Sequence, residues 1–242
     1  MERRLDLGDL GVKFIYAPTA AASSYPVRMS TATPRNLSVA ELTAAALVST
    51  ARCGRTRVIL IDGPAGSGKT TLANRLAVAW GGTASGGAST YDPNNPTPDG
   101  APVQILHSDD MYEGWDGLQT LDQVLVDQVL EPLSRGGAGG FAMWDWLRDE
   151  RTHVIGVPQR TYLVVEGVGV AQRAARTYAS LVIYVDAPWP ERLARGVTRD
   201  GESMRAQWEV WQCAEEEFLN AEGTLQASDI VVDGLAPVPD AW

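Results

Sequence analysis

The segment from Gly63 to Thr70 reads GPAGSGKT and constrains the fold more than any other part of the chain. It matches the pattern GxxxxGK[ST] at every fixed position. The apolar, β-branched run Val58–Ile61 precedes it, and Thr70–Trp80 follows it with apolar residues at helical spacing. Glycines let a backbone wrap an anion, and the N-terminus of the following helix attracts negative charge. We therefore predict a strand–loop–helix unit that binds the phosphates of a nucleoside triphosphate.

The predicted roles of the loop residues follow from the chemistry of a triphosphate. Lys69 supplies a cation for the β- and γ-phosphates, and the Thr70 hydroxyl is a hard oxygen ligand suited to Mg²⁺. Backbone amides supply further contacts, so ATP and Mg²⁺ are the predicted cofactors. The residues predicted to bind the nucleotide within this segment are Gly63, Ala65, Gly66, Ser67, Gly68, Lys69, Thr70 and Thr71.

The rest of the chain predicts an α/β fold of the P-loop NTPase class, with a small hairpin and an arginine-bearing lid. Short apolar runs alternate with stretches of helical spacing, which is typical of a mainly parallel sheet with helices on both faces. The predicted helices cover residues 38–52, 70–80, 118–133 and 192–221, the last interrupted at Gly201; the predicted strands cover 58–61, 103–106, 162–165, 181–185 and 230–232, and the hairpin 141–146 with 152–157.

The 242 residues are predicted to form one domain with two irregular segments. Residues 1–35 are rich in Ala, Ser, Thr and Pro and are predicted to be a loose leader, followed by a single P-loop domain at 36–242. Within that domain, residues 81–102 contain almost nothing to bury, and we expect a mobile connector there.

Composition excludes several classes of partner. A net charge of −10 argues against nucleic-acid binding, which needs clustered cations. No apolar run reaches the length of a membrane span. Cys53 and Cys213 are far apart and form no metal-binding spacing, so a reducing, cytoplasmic location is predicted. The predicted partner is a small-molecule substrate, and the sequence leaves open whether the chain forms a homo-oligomer.

Two aspartates follow the second predicted strand, in the string Asp109-Asp110-Met111-Tyr112. In a parallel sheet the carboxyl ends of the strands line the ligand crevice, so a carboxylate there lies beside the P-loop. We predict that Asp109 accepts the proton of a hydroxyl that attacks the γ-phosphorus. The alternative is that the two acids are solvated and cap a helix.

The strand Leu163–Val165 ends in Glu166 and Gly167, the usual arrangement of an acid that serves a P-loop metal. A carboxylate at this position can bind the hydration shell of Mg²⁺. Glu166 and Thr70 are therefore the predicted metal-binding residues.

Arg192, Arg195 and Arg199 recur at intervals of three and four residues, so they share one face of a helix. Arginines delivered from a lid stabilise the charge of a phosphoryl group during transfer. Arg192 is predicted to bind the nucleotide, and Arg195 and Arg199 to act in catalysis with Lys69. The alternative is a solvated basic face paired with Glu191 and Glu202.

These segments together resemble the uridine kinase-like P-loop kinases over about Val58 to Val232. Asp109–Tyr112 is similar to the family's Asp-x-Phe-Tyr element, and Met143–Trp146 is similar to its Tyr-Asp-Phe/Tyr element. Glu166–Gly167 matches its Glu-Gly element, and Arg192–Asp200 matches its Arg-Leu-x-Arg…Arg-Asp lid. Glu216–Phe218 and Ser228–Val232 match its closing helix and strand. It implies a kinase domain in which Asp109 is the catalytic base, and Tyr112 and Trp144 contact the substrate.

The chain departs from this family where the acceptor would be recognised. The histidine that reads a pyrimidine after the hairpin is missing, and Asp149 stands at that spacing. The ribose-binding segment is reduced to Trp115-Asp116-Gly117, in which Asp116 is the substitute. The lid is shorter, with Arg205 as the only stand-in for the arginines after Arg-Asp. A site that reads a base by hydrogen bonds is damaged when one partner is lost.

Three functions therefore remain open. The first is phosphoryl transfer from ATP to a nucleoside such as uridine or cytidine. The second keeps this chemistry but uses a sugar, a vitamin or another metabolite hydroxyl. The third is a nucleotide-dependent regulatory ATPase that phosphorylates no small molecule.

Overall fold

The computed structural model describes residues 36–240, and the predicted leader at 1–35 lies outside the described residues. The helices are α1 Val39–Val48, α2 Lys69–Ala79, α3 Leu121–Val124, α4 Glu131–Ser134, α5 Arg173–Arg176, α6 Trp189–Asp200, α7 Arg205–Glu222 and α8 Thr224–Ala227. The strands are β1 Arg57–Asp62, β2 Val103–His107, β3 Gly139–Asp145, β4 Glu150–Val157, β5 Tyr162–Glu166, β6 Leu181–Asp186 and β7 Ile230–Asp233.

Five strands form a central sheet in the order β2-β5-β1-β6-β7, and all neighbouring pairs are parallel. Strand β1 lies in the middle, so the loop that follows it emerges between the ends of β5 and β6. This is the reversal point of an open α/β sheet, where ligands bind at the carboxyl ends of the strands. Strands β3 and β4 pair separately as an antiparallel hairpin.

Both faces of the sheet are covered, which explains why its strands are apolar along their whole length. On one face, Val58 and Leu60 of β1 pack in a core that includes residues of the hairpin, the helical region before it and α7. On the other face, Ile59 and Ile61 pack against α1 and α2. The predicted α/β fold with helices on both faces is confirmed.

The predicted elements occur in the predicted order, and the interruption near Gly201 separates α6 from α7. The predicted helix at 118–133 is less regular than expected. It consists of a 3₁₀ segment Gly114–Thr120, then α3, a π-helical segment Leu125–Leu130 and α4. Pro132 lacks the N–H that a regular α-helix would donate to the Gln128 carbonyl, and the helix is widened directly before it.

The predicted connector at 81–102 contains neither helix nor strand. It is nevertheless attached to the domain. The buried guanidinium of Arg160 donates hydrogen bonds to the carbonyls of Thr97, Pro98 and Ala101, and the Ser89 amide donates to Asp110. Its mobility stays a prediction. In the described part of the chain, no helix combines the length and apolar character that crossing a bilayer requires.

Candidate active site

The P-loop is held in a conformation that requires glycine. Gly63, Gly66 and Gly68 have φ values of 129°, 79° and 108°, a region that side-chain-bearing residues rarely adopt. A Cβ on Gly63 would lie 2.1 Å from the carbonyl oxygen of Val185 on the neighbouring strand. The loop is therefore packed closely against β6, whereas at Gly68 a Cβ would meet no atom within 4 Å.

The two functional side chains that start α2 are bonded within the protein. The Lys69 ammonium is buried and donates to the Pro64 carbonyl of its own loop, at 2.9 Å. The Thr70 hydroxyl donates to Oε1 of Glu166, also at 2.9 Å. Both groups therefore lie at the carboxyl edge of the sheet. The Thr70 hydroxyl keeps its lone pairs and the Lys69 ammonium keeps further N–H groups, so both retain capacity for a ligand.

Glu166 is paired with a histidine because of strand register. His107 and Glu166 end the parallel strands β2 and β5 and lie opposite each other. The His107 Nδ1 is 2.6 Å from Glu166 Oε1, and both side chains are buried. Burial raises the pKa of Glu166, but the bond to His107 and the charges of His107 and Lys69 outweigh it, so the pKa is lowered. Burial lowers the pKa of His107, but the acidic neighbours raise it overall.

The side-chain oxygens of Thr70 and Glu166 are suitable ligands for Mg²⁺. They are a hydroxyl and a carboxylate 2.9 Å apart, beside the P-loop. Among residues 36–240, no group of three or more His, Cys, Asp or Glu side chains is placed to hold a metal. This agrees with the behaviour of Mg²⁺ at nucleotide sites, where one or two protein oxygens suffice because phosphates and water complete the octahedron.

Asp109 lies directly after β2, in a short 3₁₀ turn, and its outer side is exposed to solvent. Desolvation by the surrounding protein raises the pKa of Asp109, as does the negative charge of Glu166. The positive charges of Lys69, His107 and Arg199 lower it. The net shift is upward. The charges of the P-loop lysine and of a lid arginine thus both lower the pKa of this carboxylate.

Arg195 and Arg199 have different surroundings although they share a helix face. Arg195 donates to the carbonyls of Gly66 and Gly234, at 2.9 and 3.0 Å, so it binds the backbone of the P-loop. Arg199 is exposed and pairs with Asp200 at 2.7 Å. Its bond to Asp200 raises its pKa, and Asp109 and Glu166 add to this effect. Arg199 is therefore the lid arginine whose pKa responds to Asp109 and Glu166.

Arg192 is bonded within the protein. Its guanidinium is buried and lies 2.5 Å from Glu215, a fully buried residue of α7. It also donates to the carbonyls of Ala187 and Ala65. Through these bonds Arg192 fastens the lid to the P-loop in this conformation, and its binding to a nucleotide stays a prediction.

Glu215 also accepts a hydrogen bond from one of the backbone amides that are predicted to bind the nucleotide. Its Oε2 accepts a hydrogen bond from the Ala65 N–H at 2.7 Å. Burial raises the pKa of Glu215, and the Ala65 amide and Arg192 oppose this only in part. Ala65 is therefore turned toward α7, and its amide is not available to a phosphate as the loop stands.

Asp62 joins the P-loop to the loop after β5. This fully buried carboxylate accepts hydrogen bonds from the amides of Gly63, Gly169 and Ala171, at 2.6 to 2.8 Å. Burial raises its pKa to about 6, although the three amides and Lys69 lower it. Asp62 thus positions the start of the P-loop relative to the end of the neighbouring strand.

An aromatic cluster is joined to the backbone of Asp109. Trp115 contacts Trp146 and Trp211 edge to face, with ring centroids 5.5 and 5.7 Å apart, and Trp211 contacts Tyr112 at 5.8 Å. The Trp146 indole donates to the Asp109 carbonyl at 2.8 Å. Trp115 is 39% exposed, so the cluster reaches solvent.

Tyr112 is placed in the core. It is 1% exposed, and its hydroxyl bonds to the Val168 carbonyl and to Ser108. Tyr112 could therefore contact a substrate only after a rearrangement. In this conformation its ring packs against Trp211.

The remaining predicted substrate residues are spread over the hairpin and the loop before α3. Trp144 is partly buried on β3, its indole nitrogen has no hydrogen-bond partner, and the Arg151 guanidinium lies 5.9 Å from its ring. Asp149 is exposed at the hairpin turn, with a left-handed φ of 56°. Asp116 is exposed in the 3₁₀ segment. The structure does not bring Asp149 into contact with the residues around Asp109.

Sequence reasoning missed several residues of this site. Asp62 and Glu215 have no spacing that distinguishes them from other polar residues of the chain. The pairing of His107 with Glu166 was not predicted. The only available signal for His107 is its place at the end of a strand, two residues before Asp109.

Comparison with known proteins gave results at the level of structure alone. No family model matches the chain, and no curated protein matches it in sequence. A candidate uridine kinase from Bacillus stearothermophilus is 20% identical over 81% of this chain and 97% of its own, with a TM-score of 0.52. A candidate fructose transport system kinase from Silicibacter sp. TM1040 is 16% identical over 81% of this chain and 99% of its own, with a TM-score of 0.54. The chain therefore has the mainly parallel α/β fold that these P-loop kinases share.

Proposed function

We propose that this protein transfers the γ-phosphoryl group of ATP to a hydroxyl of a small molecule. The observation that carries the proposal is the position of Asp109, which lies at a strand end within the electrostatic reach of Lys69, Glu166 and Arg199. Phosphoryl transfer needs a base near the acceptor and cations around the phosphates, and this cleft supplies both.

The residues divide the work as follows. Amides of the P-loop bind the phosphates together with Lys69, whose ammonium gives one N–H to the Pro64 carbonyl and has others for phosphate. Asp109 orients the acceptor hydroxyl and takes its proton, and its raised pKa makes it a stronger base than an ordinary aspartate. Arg199 compensates charge from the lid. Thr70 and Glu166 would hold Mg²⁺, which screens the phosphate charges when bound.

A nucleoside such as uridine or cytidine is the first acceptor we propose. The aromatic cluster of Trp115, Trp146 and Trp211 offers flat apolar surfaces beside Asp109, and such surfaces suit a planar ring. The similarity in fold to a candidate uridine kinase agrees with this choice.

Another metabolite hydroxyl, such as that of a sugar or a vitamin, is the second candidate. It is favoured by the position of Asp149, which replaces the expected base-reading histidine and is exposed at the hairpin turn. A candidate fructose transport system kinase also shares the fold.

The test is a panel of nucleosides, sugars and vitamins scored for acceptor-stimulated release of ADP, with wild-type protein and Asp109→Asn. We expect one class to stimulate release, and Asp109→Asn to lower that stimulated rate by roughly 10²–10⁴-fold, the range for loss of a general base. Hydrolysis that no acceptor stimulates and that survives Asp109→Asn would favour a regulatory ATPase and contradict the proposal.

A further inference from the structure

Hydrogen bonds link five residues of the P-loop helix, two strand ends and the connector into a ring, which the backbone of α2 closes between Thr70 and Asn74. Thr70 donates to Glu166 Oε1 at 2.9 Å, and the same oxygen is 2.6 Å from His107 Nδ1. The other ring nitrogen of His107 is 2.5 Å from the Ser85 hydroxyl. Asn74 joins Ser85 to α2, because its side chain accepts from the Ser85 amide at 2.7 Å and donates to the Ser85 carbonyl at 3.1 Å.

The ring begins and ends on one helix. Thr70 and Asn74 are four residues apart in α2, so they lie one above the other on the same face. The connector residue Ser85 is clamped to that face through its backbone, which leaves its hydroxyl to fix the histidine. A histidine with both nitrogens engaged has a fixed ring orientation, and its partner carboxylate is fixed with it.

A second bond attaches the connector to the same strand end. The Ser89 amide donates to Asp110 at 2.7 Å, and Ser89 adopts a left-handed φ of 59°. The connector therefore binds the residues on both sides of Asp109, namely His107 and Asp110. A segment that the sequence predicts to be a mobile spacer is thus bonded to the predicted catalytic strand end.

We propose that His107 and Ser85 are positioning residues, which hold the Glu166 carboxylate in the orientation that the Mg²⁺–nucleotide complex requires. The connector is then part of the nucleotide site. The inference rests on the nucleotide site of the proposed function and does not depend on the acceptor. Thr70 would offer its lone pairs to the metal while it still donates to Glu166, and the bond to His107 holds that carboxylate in place.

The experiment measures binding of a non-hydrolysable ATP analogue by titration calorimetry, with and without Mg²⁺. We expect His107→Ala to lower the Mg²⁺-dependent part of the affinity by about 10–100-fold, as loss of an outer-shell partner does. Affinity without Mg²⁺ should be unchanged. Thr90→Ala is the matched control, because the Thr90 hydroxyl bonds only to Gly87 within the connector.

Two conservative variants separate positioning from a loss of packing. In His107→Asn the amide nitrogen stands near the position of Nδ1, so the bond to Glu166 is kept and the bond to Ser85 is lost. In His107→Gln the amide lies nearer the position of Nε2, so the bond to Ser85 is kept and the bond to Glu166 is lost. We expect His107→Asn and Ser85→Ala, which both keep a donor on Glu166 but lose the bond between residues 85 and 107, to show a loss of Mg²⁺-dependent affinity smaller than that of His107→Ala but well above that of Thr90→Ala. His107→Gln should resemble His107→Ala.

Several results would overturn the inference. One is that binding of the ATP analogue to the wild type does not depend on Mg²⁺. Another is that His107→Ala changes the Mg²⁺-dependent affinity by less than about twofold, since loss of a residue that orients a metal ligand typically costs more than this. If His107→Ala does not fold, Ser85→Ala and Asn74→Ala decide in its place. Failure of every acceptor in the panel, with the Mg²⁺ effect intact, would count against the proposed transfer reaction while supporting this inference.

Discussion

Two buried acid–base pairs flank the P-loop, and they serve it differently. On the strand-end side, Glu166 pairs with His107 and also accepts from Thr70, whose hydroxyl is a predicted metal ligand. On the lid side, Glu215 pairs with Arg192 and accepts from the Ala65 amide of the loop itself.

The difference lies in what each carboxylate leaves for a ligand. Glu166 is bonded to a hydroxyl that keeps lone pairs for a metal, so this pair lies at the predicted metal site. Glu215 is 0% exposed and gives one oxygen to a guanidinium and the other to a backbone amide. It fixes the loop and the lid in relation to each other. Glutamate therefore borders the predicted metal site in one pair and connects parts of the fold in the other.

Breaking the lid-side pair should have the largest effect on stability. Glu215→Gln leaves the buried Arg192 charge without its counter-ion, which typically costs about 3–5 kcal/mol. For a chain of this size we expect the melting temperature to fall by roughly 6–20 °C, measured by calorimetry. Glu216→Gln, on the exposed side of α7, is the control. An unchanged melting temperature would mean that the pair adds nothing to the fold.

Removing both charges should restore much of that loss. In Arg192→Met with Glu215→Gln, the glutamine oxygen can still accept from Ala65, and no charge is left buried. Replacement of a buried pair by uncharged groups is often neutral, so we expect recovery of about 2–4 kcal/mol relative to Glu215→Gln. Affinity for the ATP analogue should remain near that of the wild type. A large loss of affinity in this stable double variant would support the predicted role of Arg192 in nucleotide binding.

The strand-end side should also show a pH dependence that Asp110 controls. Burial raises the pKa of Asp110 to about 6, while the Ser89 amide and His107 oppose the rise. Since the pKa of the folded state lies above the unfolded value, folding takes up a proton between about pH 4 and 6. The penalty for ionised Asp110 is therefore present above pH 6 and disappears as the pH falls toward 4.

Asp110→Asn keeps the acceptor for Ser89 and removes this titration. We expect the variant to be more stable than the wild type at pH 7 by about 2–3 kcal/mol, with the difference vanishing near pH 4. Urea unfolding at several pH values measures it. A difference that is constant from pH 4 to 7 would exclude Asp110 as the titrating group.

Glu166→Gln should reverse the pattern seen for Glu215. We expect acceptor-dependent turnover to fall by about 10–100-fold, or roughly 1.4–2.7 kcal/mol of transition-state stabilisation. Stability should change little, because glutamine can still bond to Thr70 and His107. A drop in melting temperature as large as that of Glu215→Gln, with turnover unaffected, would abolish the distinction between the two pairs.

Much of the fold could be predicted because its signals are local. The β-branched run at Val58–Ile61 and the glycines of the P-loop require a buried strand and a tight turn whatever surrounds them. The helix after Leu118 was predicted less well. Pro132 indicates a break in regularity, but the packing against the hairpin decides that the break is a π-helical segment.

The candidate site could be predicted where a residue follows a recognisable strand. Asp109 and Glu166 lie at strand ends, and parallel topology alone brings strand ends to one edge. The exact partners of charged residues could not be predicted in this way. The three lid arginines share a helix face, yet one is buried against Glu215, one binds P-loop carbonyls and one is exposed beside Trp208.

The sequence by itself determined the phosphate-binding loop, the alternation of strands and helices, and the edge of the sheet where the acids lie. Only the tertiary structure decided that Arg192 pairs with Glu215, that His107 faces Glu166 and that Ser85 of the connector bonds to His107. Pattern and propensity act over a few residues, whereas the partners of buried polar groups depend on strand register and on packing between residues 22 to 59 positions apart. Residues this far apart in sequence come into contact only when the chain folds.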